Sequence, residues 1–264
     1  MNNLKNIQEF VNNIADGGLC VAFSGGVDST LLLKIAVDTG KKVHAVMFNT
    51  QLHPCSEEAE ARKIASEIGA DITVMEIDEF SNPEILKNPV DRCYICKSML
   101  FSKLKDFAQE NGYHTIIDGT NADDHKEYRP GIKALSELGI VSPLAELGIT
   151  KSEIRNYAKE LGITVHNKPS APCMATRFPY NTQLTRGMLE KVEIAENFLK
   201  GIGMKVCRLR IHGDMARIEV NESDFEVVIK NKDIIIKQFK ILEFRYTTLD
   251  LEGFRSGSMD KGLV

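Results

Sequence analysis

Cys20-Val21-Ala22-Phe23-Ser24-Gly25-Gly26-Val27-Asp28-Ser29-Thr30 sets a short apolar, β-rich run against a serine- and glycine-rich turn. The turn leads directly into Leu31, Leu32, Ile35 and Ala36 at helical spacing. Strand, turn and helix in that order open a βα unit. Two adjacent glycines let the backbone approach a ligand closely, and the N–H groups of a helix start have no acceptor within the helix, so the turn favours an anion. Ser24, Ser29 and Thr30 add hydroxyl donors. No Gly-Lys-Ser/Thr follows, so this is not a Walker A loop. The plain alternative is an ordinary βα turn with a good N-cap. It leaves Asp28 unexplained, because an acid beside a phosphate cradle is useful only with a cation.

Outward from this turn the same alternation continues. Val43–Phe48, Ile72–Ile77 and His114–Ile117 read as strands, and Glu57–Ile68 and the stretch holding Met99–Phe107 as helices. Thr150-Lys151-Ser152-Glu153 has capping-box spacing and should open a helix ending near Leu161-Gly162. Strands separated by helices of this length predict an α/β, doubly wound parallel sheet over residues 1–166, with its strand-to-helix loops along one edge. Asn167-Lys168-Pro169-Ser170-Ala171-Pro172 reads as a linker or active-site loop. Beyond it, a helix near 185–200, paired strands at Lys205–His212 and Met215–Val220, two short helices and a strand near Tyr246–Leu251 predict a small C-terminal α+β domain, 167–264. Gly201-x-Gly203 reads as a helix stop.

Composition narrows the function. The chain has 264 residues, with 33 basic against 37 acidic side chains for a net charge of −4, and six cysteines. Apolar runs such as Leu31–Leu33 and Ile234–Ile236 fall far short of the roughly 20 residues of a membrane span. Met1-Asn2-Asn3-Leu4-Lys5 lacks the layout of a signal peptide. The expectation is a cytoplasmic, reducing setting in which the cysteines do not form a disulfide framework. Mild acidity argues against a protein that grips nucleic acid by bulk charge.

Ser24–Ser29 resembles the signature of the PP-loop ATP pyrophosphatases, whose fold is adenine nucleotide alpha hydrolase-like. These enzymes split ATP between the α and β phosphates and transfer AMP to a carboxyl, carbonyl or amide-like oxygen. The resemblance implies that Ser24, Gly25, Gly26, Val27, Asp28 and Ser29 hold the pyrophosphate, with Asp28 assisting Mg²⁺. Asp118-Gly119-Thr120-Asn121-Ala122-Asp123-Asp124 resembles the second patch of the group, which implies that Gly119 and Asn121 lie near the nucleotide. Without the loop, that segment would read as a solvated acidic turn.

Three further motifs choose among PP-loop enzymes: Glu127-Tyr128-Arg129-Pro130-Gly131, Thr176-Arg177-Phe178-Pro179-Tyr180 and Gly253-Phe254-Arg255-Ser256-Gly257. Together they resemble the LarE family, sulfur transferases that help build the nickel-pincer nucleotide of lactate racemase. The resemblance covers nearly the full chain. It implies adenylation of a carboxylate of pyridinium-3,5-biscarboxylic acid mononucleotide, replacement of AMP by sulfur, and a repeat at the second carboxylate. It also implies a homo-oligomer, a hexamer being known in the family. By the same resemblance Thr176, Arg177, Glu196, Arg208, Arg210, Asp224 and Arg255 serve the substrate. Arg208 and Arg210 alternate on a predicted strand, so both point to one face. Taken singly, each arginine also reads as a solvated surface charge.

Cys20 and Cys207 sit among apolar neighbours and read as small core residues, whereas Cys55 opens a helical stretch after Pro54. Cys93-Tyr94-Ile95-Cys96 and Cys173 admit three readings: a redox pair, a structural zinc lacking a convincing fourth ligand, or a three-thiolate [4Fe–4S] cluster with one iron open to sulfide. LarE-like proteins are of two kinds, one sacrificing the sulfur of a loop cysteine and one carrying this three-cysteine pattern. The resemblance to the second kind implies a cluster on Cys93, Cys96 and Cys173, an external sulfide donor, and catalytic roles for Asp28 and Cys173. Sacrificial transfer from Cys173, tRNA thiolation, an amidating synthetase and a non-catalytic iron–sulfur carrier are the alternatives.

Overall fold

A run such as Leu19–Ala22, with no polar side chain, can be stable only in a strand buried on both faces. A computed structural model of the chain, describing residues 3–53, 57–126, 129–169 and 172–255, places it there. Cys55, Glu127, Tyr128, Ser170, Ala171, Ser256 and Gly257, all named above, lie outside the described residues.

The chain forms two units. The first comprises Met1–Gln51, Cys55–Ser81 and Asp91–Ser170. Its strands β1 (Leu19–Ala22), β2 (Val43–Thr50), β3 (Ile72–Ile77) and β4 (Thr115–Ile117) make a parallel sheet of order β3-β2-β1-β4. Leu19 stands opposite Val43 on one side and Thr115 on the other. The chain therefore winds from β1 outward to β3, then crosses back to the far side of β1. That reversal puts the topological switch point between β1 and β4, where open α/β sheets bind ligands at the carboxyl ends of their strands.

Successive side chains of a strand alternate faces, and here each face has its own core. Leu19, Val21, Ala45 and Met47 join one cluster with residues of α1 (Asn3–Ile14), α2 (Val27–Asp38), α3 (Glu57–Ile68) and α8 (Lys151–Glu160). Cys20, Val46, Ile77 and Ile116 join the other, with Leu100, Phe101 and Leu104 of α5 (Arg92–Glu110) and Leu135 of α6 (Pro130–Glu137). This is the doubly wound arrangement expected. α7 (Pro143–Glu146) lies between α6 and α8 in the chain. Leu31, Leu32, Leu33, Ile35 and Ala36 are all buried, so α2 is apolar almost all round and is enclosed by its neighbours. Its amino end carries the Ser24–Ser29 turn on a rigid post. The capping box of α8 forms as its spacing predicts: Glu153 N–H donates to Thr150 Oγ1 and Thr150 N–H donates to the Glu153 carboxylate at 2.9 Å.

The second unit comprises Leu52–Pro54, Asn82–Val90 and Ala171–Val264, and it includes α4 (Pro83–Leu86), α9 (Arg186–Gly201), α10 (Phe225–Lys230) and α11 (Lys232–Ile241). β5 (Cys207–His212) runs antiparallel to β6 (Met215–Val220), and β7 (Tyr246–Leu249) runs parallel to β6 after the α10–α11 crossover. α9 ends at Gly201, and Gly203 takes φ +108°, the helix stop anticipated. Asn88 is fully buried; its side chain donates to Pro179 O at 2.9 Å and its carbonyl accepts Asn181 N–H at 2.8 Å. These bonds fasten residues 82–90 to the segment after Cys173.

Candidate active site

The turn after β1 is organised by its own hydroxyls. Ser29 Oγ accepts Ser24 N–H at 3.2 Å and donates to Gly26 O at 3.2 Å, while Gly26 N–H reaches Ser24 Oγ at 3.3 Å. Gly25 has φ +68°, a left-handed conformation that glycine adopts without strain. Gly26 is the N-cap of α2 and offers no side-chain acceptor, so the N–H groups of the first helical turn are available to an anion. Asp28, in that turn, has a carboxylate 19% exposed. Its Oδ1 is buried without a hydrogen-bond partner among the described residues, and its Oδ2 is paired with Lys151 Nζ. Burial raises the Asp28 pKa and the nearby Asp124 charge adds to it, with Lys151 only partly opposing. A carboxylate with an orphaned, desolvated oxygen is the donor a Mg²⁺ ion would satisfy, so the residues fit that ion.

The loop after β4 faces the same turn across the switch point, and it is not a solvated acidic turn. Asp118, Thr120 and Asn121 are all buried. Asp118 accepts from Thr120 Oγ1 and from Ser142 Oγ, each at 2.5 Å, and Asn121 N–H donates to Asp124 Oδ2 at 3.0 Å. A Cβ on Gly119 would lie 3.0 Å from Ser29 N and 3.2 Å from Asp28 Cβ. Glycine is thus what allows the two loops to touch.

Two lysines that sequence reasoning missed complete this edge. Lys151, first residue of α8, donates its backbone N–H to Asp123 Oδ2 at 2.8 Å while its ammonium meets Asp28. Lys168 Nζ lies 2.7 Å from Glu60 Oε2 and 3.4 Å from Gly25 O. Arg155 holds the Lys168 segment by donating to His166 O at 2.6 Å and Lys168 O at 3.0 Å.

The C-x-x-C pair occupies the first turns of α5, where spacing of three residues puts both thiols on one side of the helix. Buried Arg92 donates to Cys93 Sγ at 3.6 Å, and Cys96 Sγ donates to buried Glu79 at 3.9 Å. A cleft of about 120 Å³ beside Cys93 is lined by Lys97, Thr120, Asp124, Arg129 and Gly131. It joins Cys93 to the β4 loop. Gly131 has a reason here too, since a Cβ would meet Lys97 Cδ at 2.7 Å and Cys93 O at 3.3 Å.

In the second unit Cys173 caps a 3₁₀ turn, Met174–Arg177. Arg177 and Glu196 are 2% and 3% exposed and form a two-pronged pair, Nε–Oε1 and Nη2–Oε2 both 2.9 Å. Arg177 Nη1 also donates to Pro172 O at 2.8 Å and Cys173 O at 3.2 Å. Burial alone would raise Glu196; the hydrogen bonds and charge of Arg177 outweigh it and hold the carboxyl below its usual range. His53 is driven down to about 4 by burial and the Arg177 charge, so it is neutral. Arg208 and Arg210 do share a face of β5, and both are buried rather than solvated. Arg210 Nε donates to Glu219 at 2.9 Å and its Nη1 to Thr176 O at 2.7 Å. The Arg208 guanidinium lies 5.4 Å from the Phe254 ring centre. Burial, then the Arg177 charge, pulls its pKa down. Arg255 pairs with Asp250 at 3.5 Å and with Glu252. Asp224 is the half-buried N-cap of α10.

The cysteines divide by environment. Cys20 and Cys207 are fully buried, and burial pushes their thiols up to about 12 and about 11. Cys93, Cys96 and Cys173 are partly exposed. Cysteines at the surface, unlike buried ones, are placed to serve as ligands. Among the described residues no three His, Cys, Asp or Glu side chains are gathered to hold a metal ion. No described helix is long and apolar enough to cross a membrane.

Comparison with known proteins agrees with this geometry. The family model of the queuosine biosynthesis protein QueC matches residues 19–177, the stretch that holds the sheet and both ligand loops. The chain is 42% identical over 246 residues, 92% of its length and 89% of the relative's, to pyridinium-3,5-bisthiocarboxylic acid mononucleotide synthase of Lactiplantibacillus plantarum. It is 38% identical to an uncharacterized protein of Synechocystis, over 99% of this chain and 98% of that one. Similarity to one of the subunits of the glutamine-hydrolyzing GMP synthase of Pyrococcus abyssi is 27% and covers only 63% of the chain and 58% of the relative. Similarity that spans both units at this level, on a sheet whose switch point carries the PP-loop, places the chain in the LarE family of PP-loop proteins.

Proposed function

We propose that this chain is an ATP-dependent sulfur transferase that converts the carboxylates of pyridinium-3,5-biscarboxylic acid mononucleotide to thiocarboxylates. The observation that carries the reading is the Ser24–Ser29 cradle with Asp28 at its mouth, in a chain similar throughout to a synthase of the bisthiocarboxylic mononucleotide. A substrate carboxylate oxygen attacks the α-phosphorus of ATP and the bond to the β-phosphate oxygen breaks, giving acyl-adenylate and pyrophosphate. Hydrosulfide then attacks the acyl carbon, AMP departs with the former carboxylate oxygen, and one proton is released. Each carboxylate therefore consumes one ATP and one sulfide.

The residues divide the work. The turn N–H groups, Ser24, Ser29 and the ammonium groups of Lys151 and Lys168 stabilise the departing pyrophosphate. Asp28 would hold Mg²⁺, which neutralises phosphate charge when bound. Gly119 and Asn121 shape the nucleotide side. Arg208, whose guanidinium lies against Phe254, and Arg255, together with Asp224, receive the anionic mononucleotide; a buried arginine disfavoured by neighbouring cations gains from an incoming anion. Cys93, Cys96 and Cys173 would hold a [4Fe–4S] cluster, which supplies an open iron position for sulfide from an external donor. The protein acts in the cytoplasm as a homo-oligomer, without nucleic acid. In the test, purified protein is incubated anaerobically with ATP, sulfide and the mononucleotide, and the products are followed by mass spectrometry. Thiocarboxylate with AMP supports the reading. Loss of sulfur from Cys173 would instead show a sacrificial donor, and thiolated tRNA a different substrate.

A further inference from the structure

We propose that Arg177 and Glu196 are positioning residues for Cys173, holding its peptide against β5, rather than ligands of the substrate's anionic groups. Every guanidinium nitrogen of Arg177 already has a protein acceptor: Nε and Nη2 on Glu196, and Nη1 on Pro172 O, Cys173 O and Thr176 Oγ1. Glu196 Oε1 also accepts Leu209 N–H at 3.0 Å, so the pair connects the Cys173 turn to the backbone of β5. The carbonyl of Cys173 is held from several directions. It accepts Thr176 N–H at 3.1 Å, Thr176 Oγ1–H at 2.8 Å and Arg177 Nη1 at 3.2 Å. A second strut runs from Glu219 through Arg210 to Thr176 O.

A bidentate, nearly inaccessible arginine–carboxylate pair fixes both partners in angle and distance. A carboxylate or phosphate arriving at Arg177 would have to displace Glu196 and leave that charge buried and unpaired, which is strongly unfavourable. Surface arginines that bind anions keep donors directed outward; this one directs its donors at the peptide on each side of the cysteine. The residue Cys173 is partly exposed. The device therefore fixes the main chain of Cys173. Its consequence for catalysis rests on the sulfur-transfer reading, whereas the positioning itself rests on geometry alone.

The test uses Glu196→Gln and the milder Thr176→Val in the full chain. In metal-free folded protein, iodoacetamide labelling of Cys173, read by mass spectrometry, should change several-fold in both variants, with labelling of Cys93 unchanged. In the loaded enzyme, thiocarboxylate formation should fall between about tenfold and a hundredfold, as expected for a displaced reacting group. Mononucleotide Kd and trapping of acyl-adenylate by hydroxylamine should stay within about twofold of wild type by the same argument. Unchanged Cys173 labelling in both variants overturns the positioning role, whatever reaction the enzyme performs. A rise in mononucleotide Kd that accounts for the whole loss of rate overturns it in favour of direct substrate binding.

Discussion

Replacing Gly119 with alanine adds one methyl group at the contact between the two ligand loops, and two opposing effects can be weighed. Gly119 does not have a positive φ, so alanine fits its backbone and should stabilise by about 0.4–1 kcal/mol through the unfolded chain. Against this, the new Cβ would stand 3.0 Å from Ser29 N, 3.2 Å from Asp28 Cβ and 3.4 Å from Asp28 carbonyl carbon. Two of these three are main-chain atoms of the first turn of α2, and that helix is locked by Leu31, Leu32, Leu33 and Ile35, none more than 2% exposed. The helix cannot retreat, so the β4 loop must, by a few tenths of an ångström. Overpacking of a rigid contact costs about 1–3 kcal/mol, and the net expectation is a loss of about 1–2 kcal/mol. Thermal unfolding of the ligand-free protein should fall by about 2–6 °C. ATP affinity, measured by calorimetry, should drop about tenfold because the displaced loop flanks the phosphate cradle. Gly187→Ala serves as a control, since nothing lies within 4 Å of its added Cβ and its φ is not positive; it should be neutral or stabilising. A Gly119→Ala protein with raised Tm and unchanged ATP affinity would refute the close contact and the nucleotide role assigned to this loop.

Asp28→Asn should abolish AMP formation without lowering the stability of the ligand-free protein, because it removes a buried charge whose oxygen has no partner and Lys151 is exposed enough to rehydrate. Because burial raises the folded-state pKa of Asp28, its charge opposes folding above that value, and the cost disappears as pH falls through it towards 3.8. Affinity for Mg²⁺–ATP should accordingly weaken on acidification from a pH above the ordinary aspartate range, and titration calorimetry of wild type against Asp28→Asn should show the dependence only in wild type. In metal-free protein, iodoacetamide should modify Cys93, Cys96 and Cys173 and spare Cys20 and Cys207 until unfolding; modification of Cys20 in the native state would contradict its burial. Thr150→Ala removes half of the capping box of α8 and should cost about 0.5–2 kcal/mol in denaturant unfolding. It should also weaken ATP binding, since Lys151 is carried on that first turn; intact binding would argue against a phosphate role for Lys151.

Period and punctuation made most of the fold readable. β3 and β6 span the residues expected, and the Thr150–Glu153 spacing produced a complete capping box. These features are local, and a strand's alternation or a cap's hydrogen bonds are encoded within a few residues. α1 is equally local, since Leu4, Ile7 and Val11 face the core at helical spacing, but it lies ahead of every motif that points to chemistry. The start of α5 was harder. Arg92, its first residue, is buried beside Cys93 against the usual preference of arginine for solvent. The lysines of the candidate site could not be found by local reasoning. Lys151 meets Asp28 across 123 residues, and Lys168 approaches Gly25 across 143. The arginines show the same limit in another form: as single residues they read as surface charge, and only the register of β5 on β6 and the turn at Met174–Arg177 bury them against Glu196 and Glu219.

If adenylation at the Ser24–Ser29 loop drives exchange of a carboxylate oxygen for sulfur, AMP and thiocarboxylate must appear together. The most direct measurement is therefore the ratio of AMP to thiocarboxylate during anaerobic turnover of the mononucleotide with ¹⁸O in its carboxylates. One AMP is expected for each thiocarboxylate, with the label carried into AMP, and neither product from Asp28→Asn. Formation of ADP in place of AMP, or thiocarboxylate without labelled AMP, would contradict the adenylation route.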